Sequence, residues 1–171
     1  MGLWIIQSVR QEFGDRYTFA ELCKEAEETD YITSRIDVNN KCFLAPENMT
    51  EAIKSYCNNN DLIIPDTAGE IAAVVYKSLA DSYADTVMQI EKNLDITYDA
   101  IYVIGGGANA GYLNQLTADS TGKTVVAGPA EATAIGNIMA QMIADSVFKN
   151  LKEARACVRD SFDIKRFEQK R

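Results

Sequence analysis

Three consecutive glycines, Gly105-Gly106-Gly107, follow the apolar run Ile101-Tyr102-Val103-Ile104. The next segment, Tyr112 to Ser120, has helical spacing, with Tyr112, Leu113, Leu116 and Ala118 on its apolar side. An apolar run closed by a turn signal reads as a fully buried strand. Glycines after it let the chain turn sharply and let a ligand lie against bare backbone, because no Cβ intervenes. Strand, glycine loop, helix is a common nucleotide-holding arrangement of α/β proteins. A tight turn alone needs fewer than three glycines. A second stretch, Gly128-Pro129-Ala130-Glu131-Ala132-Thr133-Ala134-Ile135-Gly136, also follows a strand and opens a helix.

Other chemistry is bounded by composition. The 171 residues contain no histidine. Ser-His-Asp and Cys-His catalysis and His-ligated metals are therefore excluded within the chain. A general base would have to be a carboxylate, Lys, Tyr or Cys. Asp66 precedes a cap, Asp95 and Asp99 flank a turn, and Asp119 sits on a helix. Solvated or capping roles suit all four, so no catalytic residue is assigned. Cys23, Cys42, Cys57 and Cys157 form no CxxC pair, so buried thiols in a reducing cytoplasm are expected. A net charge of -8 argues against nucleic acid and against an anionic membrane surface. The apolar start, Met1 to Ile6, is too short for a signal peptide or a membrane span.

Gly105-x-Gly107-x-x-Ala110 also fits a dinucleotide fingerprint. That motif needs an acid about twenty positions on, at the end of the next strand, to hold the ribose. Thr124 to Gly128 offers none.

The elements that must position these groups follow from periodicity and caps. Leu3 to Phe13 reads as a helix buried on most of its circumference, stopped by Gly14-Asp15. It lacks a cap, which leads us to expect a preceding element. Thr18 and Glu21 form a capping box for a helix to about Glu28. Ile36 to Pro46 is a loop, followed by a short helix to Cys57. Thr67 and Glu70 form a second capping box, opening a long helix to about Asn93. Its stripe of Ile71, Val74, Val75, Leu79, Tyr83, Val87, Ile90 and Leu94 is expected to be core. Ala100–Ile104 and Thr124–Ala127 are strands. Between them lies a helix ended by Gly122. Ala130 to Phe148 is a helix whose Ala132, Ala134, Gly136 and Ala140 allow close packing on a neighbour. The tail from Asn150 is charged, a helix followed by a loose end. The order βαβα after a helical block indicates an α/β layer in a helix-rich chain with a few strands.

The two glycine loops and the first helix resemble the ATP domain of the FGGY carbohydrate kinase family. That family belongs to the ribonuclease H-like actin, hexokinase and Hsp70 superfamily. The resemblance is carried by Met1-Gly2-Leu3-Trp4 with Gln7, Phe43-Leu44-Ala45-Pro46 with Tyr56-Cys57, and Pro65 to Ile71. It continues through Leu113 to Asp119, and Gly128 to Asn137 is its most specific piece. It implies that residues 1–171 are the C-terminal part of the family's second domain, a partial ATPase domain. The sugar-binding domain, the phosphate hairpin and the catalytic aspartate lie upstream in the family. Such kinases use ATP with Mg2+ to phosphorylate a ketose hydroxyl. The resemblance places ATP or ADP against this chain and the ketose on the missing domain. It implies no activity for the chain alone, and self-association through an exposed domain face. Gln7 matches a glutamine that contacts the nucleotide. Gly105 or Gly106 matches the glycine lying against the adenosine, with Gly107 in the same loop. Where sister families carry an asparagine one turn on, this sequence has Ala110, and Asn109 is the available amide. A non-catalytic nucleotide- or partner-binding module reusing the fold is the alternative. An unrelated α/β enzyme with an acidic base is disfavoured by the missing catalytic groups.

Overall fold

A computed structural model describes residues 2–14, 16–29 and 31–170. Met1 of the N-terminal motif, Asp15 of the helix stop and Arg171 lie outside the described residues.

Helices α1 (Trp4–Glu12), α2 (Phe19–Glu28), α3 (Met49–Asn59) and α4 (Ala68–Leu94) build the first layer. The first half of α4 is its axis. Ile71, Val74, Val75 and Leu79 are fully buried, packed with Ile5, Ile6, Leu22, Phe43 and Ile53. Both capping boxes form. Glu21 N donates to Thr18 Oγ1 at 3.2 Å, and Thr18 N to Glu21 Oε2 at 2.7 Å. Glu70 N donates to Thr67 Oγ1 at 3.2 Å, and Thr67 N to Glu70 Oε2 at 3.0 Å. Each satisfies two backbone donors that a helix start leaves unpaired. Glu12 ties α1 to α3, accepting from Met49 N at 2.5 Å and Thr50 N at 2.8 Å, at the positive end of the α3 dipole.

Helices α2 and α4 touch backbone to backbone. A Cβ built at Gly69 would lie 3.0 Å from Glu25 Cβ and 3.1 Å from Glu25 O. Thr29 Oγ1 donates to Gly69 O at 3.2 Å across the same crossing. Between α2 and α3 the chain is pinned to α4. Lys77 Nζ donates to Ile32 O at 2.9 Å, and Ile36 N to Ser78 Oγ at 2.9 Å.

The second layer is a βαβ unit with a third strand. Strand β1 (Ala100–Val103) and β2 (Thr124–Ala127) are parallel, with Tyr102 opposite Val126. Helix α5 (Gly111–Thr121) connects them and ends at Gly122, whose φ is +67°. Helices α6 (Ala132–Ala144) and α7 (Leu151–Ser161) follow, and β3 (Lys165–Phe167) returns antiparallel to β2.

Several expectations are corrected. The tail is not loose, because β3 and Lys170 N, bonded to Asp119 Oδ1 at 2.7 Å, hold it. Strand β1 is not fully buried: Tyr102 is 73% exposed, and Ile104, just after the strand, 62%. The α4 stripe is fully buried to Leu79, Tyr83 packs half-buried against the core, and Ile90 and Leu94 are exposed. Helix α6 is shorter than expected and buries only Ile135, and nothing lies within 4 Å of a Cβ at Gly136. Its small face is therefore unpacked. Helix α1 buries one side, Ile5, Ile6 and Val9, leaving Gln7 and Gln11 exposed. Of the thiols, Cys57 is buried, Cys42 is exposed, and the other two are half-buried.

Glu70 also predicts an acid response. Its carboxylate accepts from Tyr31 OH at 2.6 Å and from the Asp66 amide at 2.6 Å, besides Thr67. The Tyr31 hydroxyl first, then the two amides, hold it below its ordinary 4.5. A lowered carboxyl contributes stability fully above 4.5 and loses it as pH falls through the lowered value. Glu91, held down first by Lys123, acts in the same direction. Urea midpoints should therefore fall from pH 7 to pH 3. Glu70→Gln should cost about 1 kcal/mol at pH 7, a usual cap value, and flatten that fall. An unchanged pH slope in the variant would contradict this.

Candidate functional site

The three glycines each stand where they do for a different reason. Together with Ala108 and Asn109 they form a 3-10 turn, Gly105–Asn109. Gly105 has φ +73°, a left-handed conformation that costs other residues about 1–2 kcal/mol. Gly107 is backed by the chain's own core: a Cβ there would meet Leu3 Cδ1 and Val103 Cγ1, both at 3.4 Å. Gly106 faces open space, with nothing within 4 Å of a built Cβ. Only Gly106 is bare without a demand from the fold itself.

The second loop supports the first from behind. Gly105 N donates to Pro129 O at 3.3 Å, and Gly128 N to Val103 O at 2.9 Å. Asn114, 2% exposed, reaches from α5 to the Gly107 and Ala108 carbonyls at 3.3 and 3.2 Å. Asn114 is thus a positioning residue that sequence reasoning missed. Its signal was a polar residue beside Leu113, on a helix that buries the expected Leu113 and Ala118, with Tyr112 and Leu116 partly buried, and adds Asn114 and Thr117.

A cleft of about 580 Å³ opens over Gly106 and Gly107. The turn also contributes Asn109 and Ala110, α1 contributes Leu3, Ile6 and Gln7, α2 contributes Phe19 and Ala20, and α4 contributes Tyr76. Four of the five sequence-derived site residues, Gln7, Gly106, Gly107 and Asn109, therefore share one cleft. Gly105 does not line it, and its built Cβ points to Ala130 O at 3.9 Å. Gln7 is exposed and at the cleft wall. Phe19, 45% exposed, has the Arg10 guanidinium 4.9 Å from its ring centroid. Arg10 Nε is itself bonded to Tyr17 O at 2.7 Å. Phe19 and Tyr76 were not foreseen as site residues.

Among the described residues that line the cleft, no side chain is charged. The cleft has an aromatic edge, an apolar wall and two amides, in the size range of small-molecule sites. That suits an uncharged, flat, partly polar body and does not suit a phosphate chain. A larger cavity, about 1040 Å³, lies on the uncovered sheet face between Tyr102, Phe162 and Arg155. It contains none of the three glycines, and the smaller cleft is the one built by the loop.

Asp119 is engaged structurally, accepting from Gln115 Nε2 at 3.0 Å as well as Lys170 N. Among the described residues no group of three or more Cys, Asp or Glu is placed to hold a metal ion. No metal step is derived for this chain. Among the described residues no helix is long and apolar enough to cross a membrane.

A turn of bare glycine backbone, closed by a second loop, thus faces the cleft in an α/β layer laid on a helical core. The chain belongs to the FGGY family of carbohydrate kinases, matching that family's C-terminal domain over residues 1–144. The rhamnulokinase of Bacillus subtilis (strain 168) is 46% identical over 170 residues, covering 99% of this chain and 35% of that protein. That of Oceanobacillus iheyensis is 46% identical over 164 residues, 96% of this chain and 35% of the relative. That of Lactiplantibacillus plantarum is 40% identical over 167 residues, 98% and 34%. The chain spans about a third of the length of these curated relatives.

Proposed function

We propose that this chain is the adenosine-holding part of an ATP-dependent sugar kinase that converts L-rhamnulose to L-rhamnulose 1-phosphate. The observation that carries the proposal is the convergence of Gln7, Gly106, Gly107 and Asn109 on one uncharged cleft. The rhamnulokinase relatives support the sugar. In the same reading, residues 1–171 are the C-terminal part of a ribonuclease H-like second domain, working in the cytoplasm.

ATP supplies the transferable γ-phosphoryl group. This chain's residues bind and orient the other end of the molecule. Gly106 and Gly107 give a flat floor against which the adenosine packs without a Cβ between them. Phe19 offers a ring at the rim for stacking, worth about 1–3 kcal/mol per base in other proteins. Gln7 and Asn109 supply amide donors and acceptors for ribose or base edges. Phosphoryl transfer depends on positioning and charge neutralisation at the phosphates, and the described residues that line the cleft supply no cation for that work. The chain alone is therefore an inactive holder of nucleotide, with the catalytic aspartate and metal ligands on the rest of the kinase.

Calorimetry with ADP tests this. Binding is expected to be weak, with a dissociation constant on the order of 1 mM, about -4 kcal/mol. At ten times that concentration ADP should stabilise the chain by about 1.4 kcal/mol. Neither heat nor thermal shift at millimolar ADP would sink the adenosine assignment. Measurable phosphorylation of L-rhamnulose by the purified chain would overturn the claim of inactivity.

A further inference from the structure

The aromatic edge of the cleft is itself held in place. Phe19, the first residue of α2, is 45% exposed and lines the cleft. A helical backbone shows little surface, so exposure that large belongs mostly to the ring. The Arg10 guanidinium lies over that ring, 4.9 Å from its centroid. Arg10 is half-buried, follows Gln7 by one turn of α1 and does not line the cleft. The ring alone does not fix the guanidinium. Arg10 Nε donates to Tyr17 O at 2.7 Å. The Tyr17 ring in turn meets Phe13 edge-on, with centroids 6.0 Å apart and planes at 87°. Phe13 closes α1 and Tyr17 leads into α2, so the cation is fastened to the connection between the two helices.

An exposed phenyl ring samples several orientations, and a ligand that stacks on it must first order it, which weakens binding. A ring under a fixed planar cation has already lost that freedom. The face of an aromatic ring carries negative partial charge, which a guanidinium meets favourably. With one face so occupied, the other is left for the cleft. Resting on the adenosine assignment above, we infer that Arg10 is a positioning residue for the base: its guanidinium holds Phe19 as a one-sided platform, with the cation on one face and the purine on the other. Arg10 acts on the ligand through the ring and touches no phosphate. A purely structural Arg10, a cation in the last turn of α1 tied to Tyr17, would affect stability and would show no coupling to Phe19 in ligand binding.

Arg10→Met keeps an unbranched stem and removes the planar cation. Titrations of the full chain, followed by its amide NMR signals, would give adenosine and ADP affinities for the parent, Arg10→Met, Phe19→Leu and the double variant. Arg10→Met should weaken both ligands by the same factor, about two- to fivefold. Added to Phe19→Leu, it should weaken them no further. A loss with ADP that is absent with adenosine overturns the inference and places the guanidinium on a phosphate. A loss of the same size with and without the Phe19 ring also overturns it and marks a structural arginine. So does unchanged affinity in Arg10→Met. In each of these cases adenosine binding by the parent leaves the adenosine assignment standing. A parent chain that binds neither ligand overturns that assignment and this inference with it. Arg10→Lys, which keeps the charge and loses the planar group, carries the same cycle if Arg10→Met does not fold.

Discussion

Gly69→Val is expected to lower the melting temperature by roughly 10 °C. The contact that decides this is with backbone. Around a Cβ at Gly69 lie Glu25 Cβ at 3.0 Å, Glu25 O at 3.1 Å and Glu25 C at 3.2 Å. No flexible side-chain tip is available to swing aside, so α2 and α4 must separate. Separation would loosen the burial of Leu22, Ala26, Ala72 and Ala73, all at 0% exposure, and would stretch the Thr29 to Gly69 bond. Overpacking of this kind costs about 1–3 kcal/mol, and valine, branched at Cβ, belongs at the upper end. For a chain of this size each kcal/mol is about 2–4 °C. Gly136→Ala is the matched control. It sits inside α6 with nothing near its built Cβ, so it should gain up to about 1 kcal/mol from helix propensity. If Gly69→Val melted within 2 °C of the parent, the close crossing of α2 and α4 would be wrong.

Gly106→Leu is expected to abolish nucleotide binding while leaving the fold intact. The new side chain would enter the cleft, since its first carbon meets nothing within 4 Å. Loss of at least about thirtyfold in ADP affinity, 2 kcal/mol, is expected from filling the floor. Stability should stay within about 0.5 kcal/mol. The neighbouring substitutions should behave oppositely. Gly105→Ala should destabilise by about 1–2 kcal/mol through its φ of +73°. Gly107→Leu should destabilise by driving Leu3 and Val103 apart. Retained ADP affinity in a folded Gly106→Leu variant would move the nucleotide out of this cleft.

What was legible in the sequence was local. Thr18 with Glu21 and Thr67 with Glu70 act within one turn, so spacing alone defines them. The parallel β1-α5-β2 unit followed from two apolar runs and Gly122. What was illegible depended on partners far along the chain. Strand β3 has no alternating pattern in Lys165-Arg166-Phe167, and its place is set by β2 and by Thr124 Oγ1 donating to Glu168 Oε2 at 2.8 Å. Apolar character at Tyr102, Ile90 and Leu94 records an affinity for cover, and pattern cannot say whether cover is present. In the site, the glycines stood out by pattern, and Gln7 came from family resemblance alone. Phe19 and Tyr76 reach the same cleft only because α2 and α4 cross, and Asn114 counts only once the turn it holds is seen.

That crossing has a mechanical consequence. Phe19 rides on α2 and Tyr76 on α4, and the contact at Gly69 fastens the two helices rigidly. One jaw of the cleft is therefore fixed. Gln7 on α1 and the glycine turn face it, and they share the same fastening: α1 through Ile5, Ile6 and Val9 in the common core, and α5, which carries Asn114, through Tyr112 N donating to Cys23 Sγ of α2 at 3.3 Å. The cleft is therefore a preformed site whose walls are held by one core.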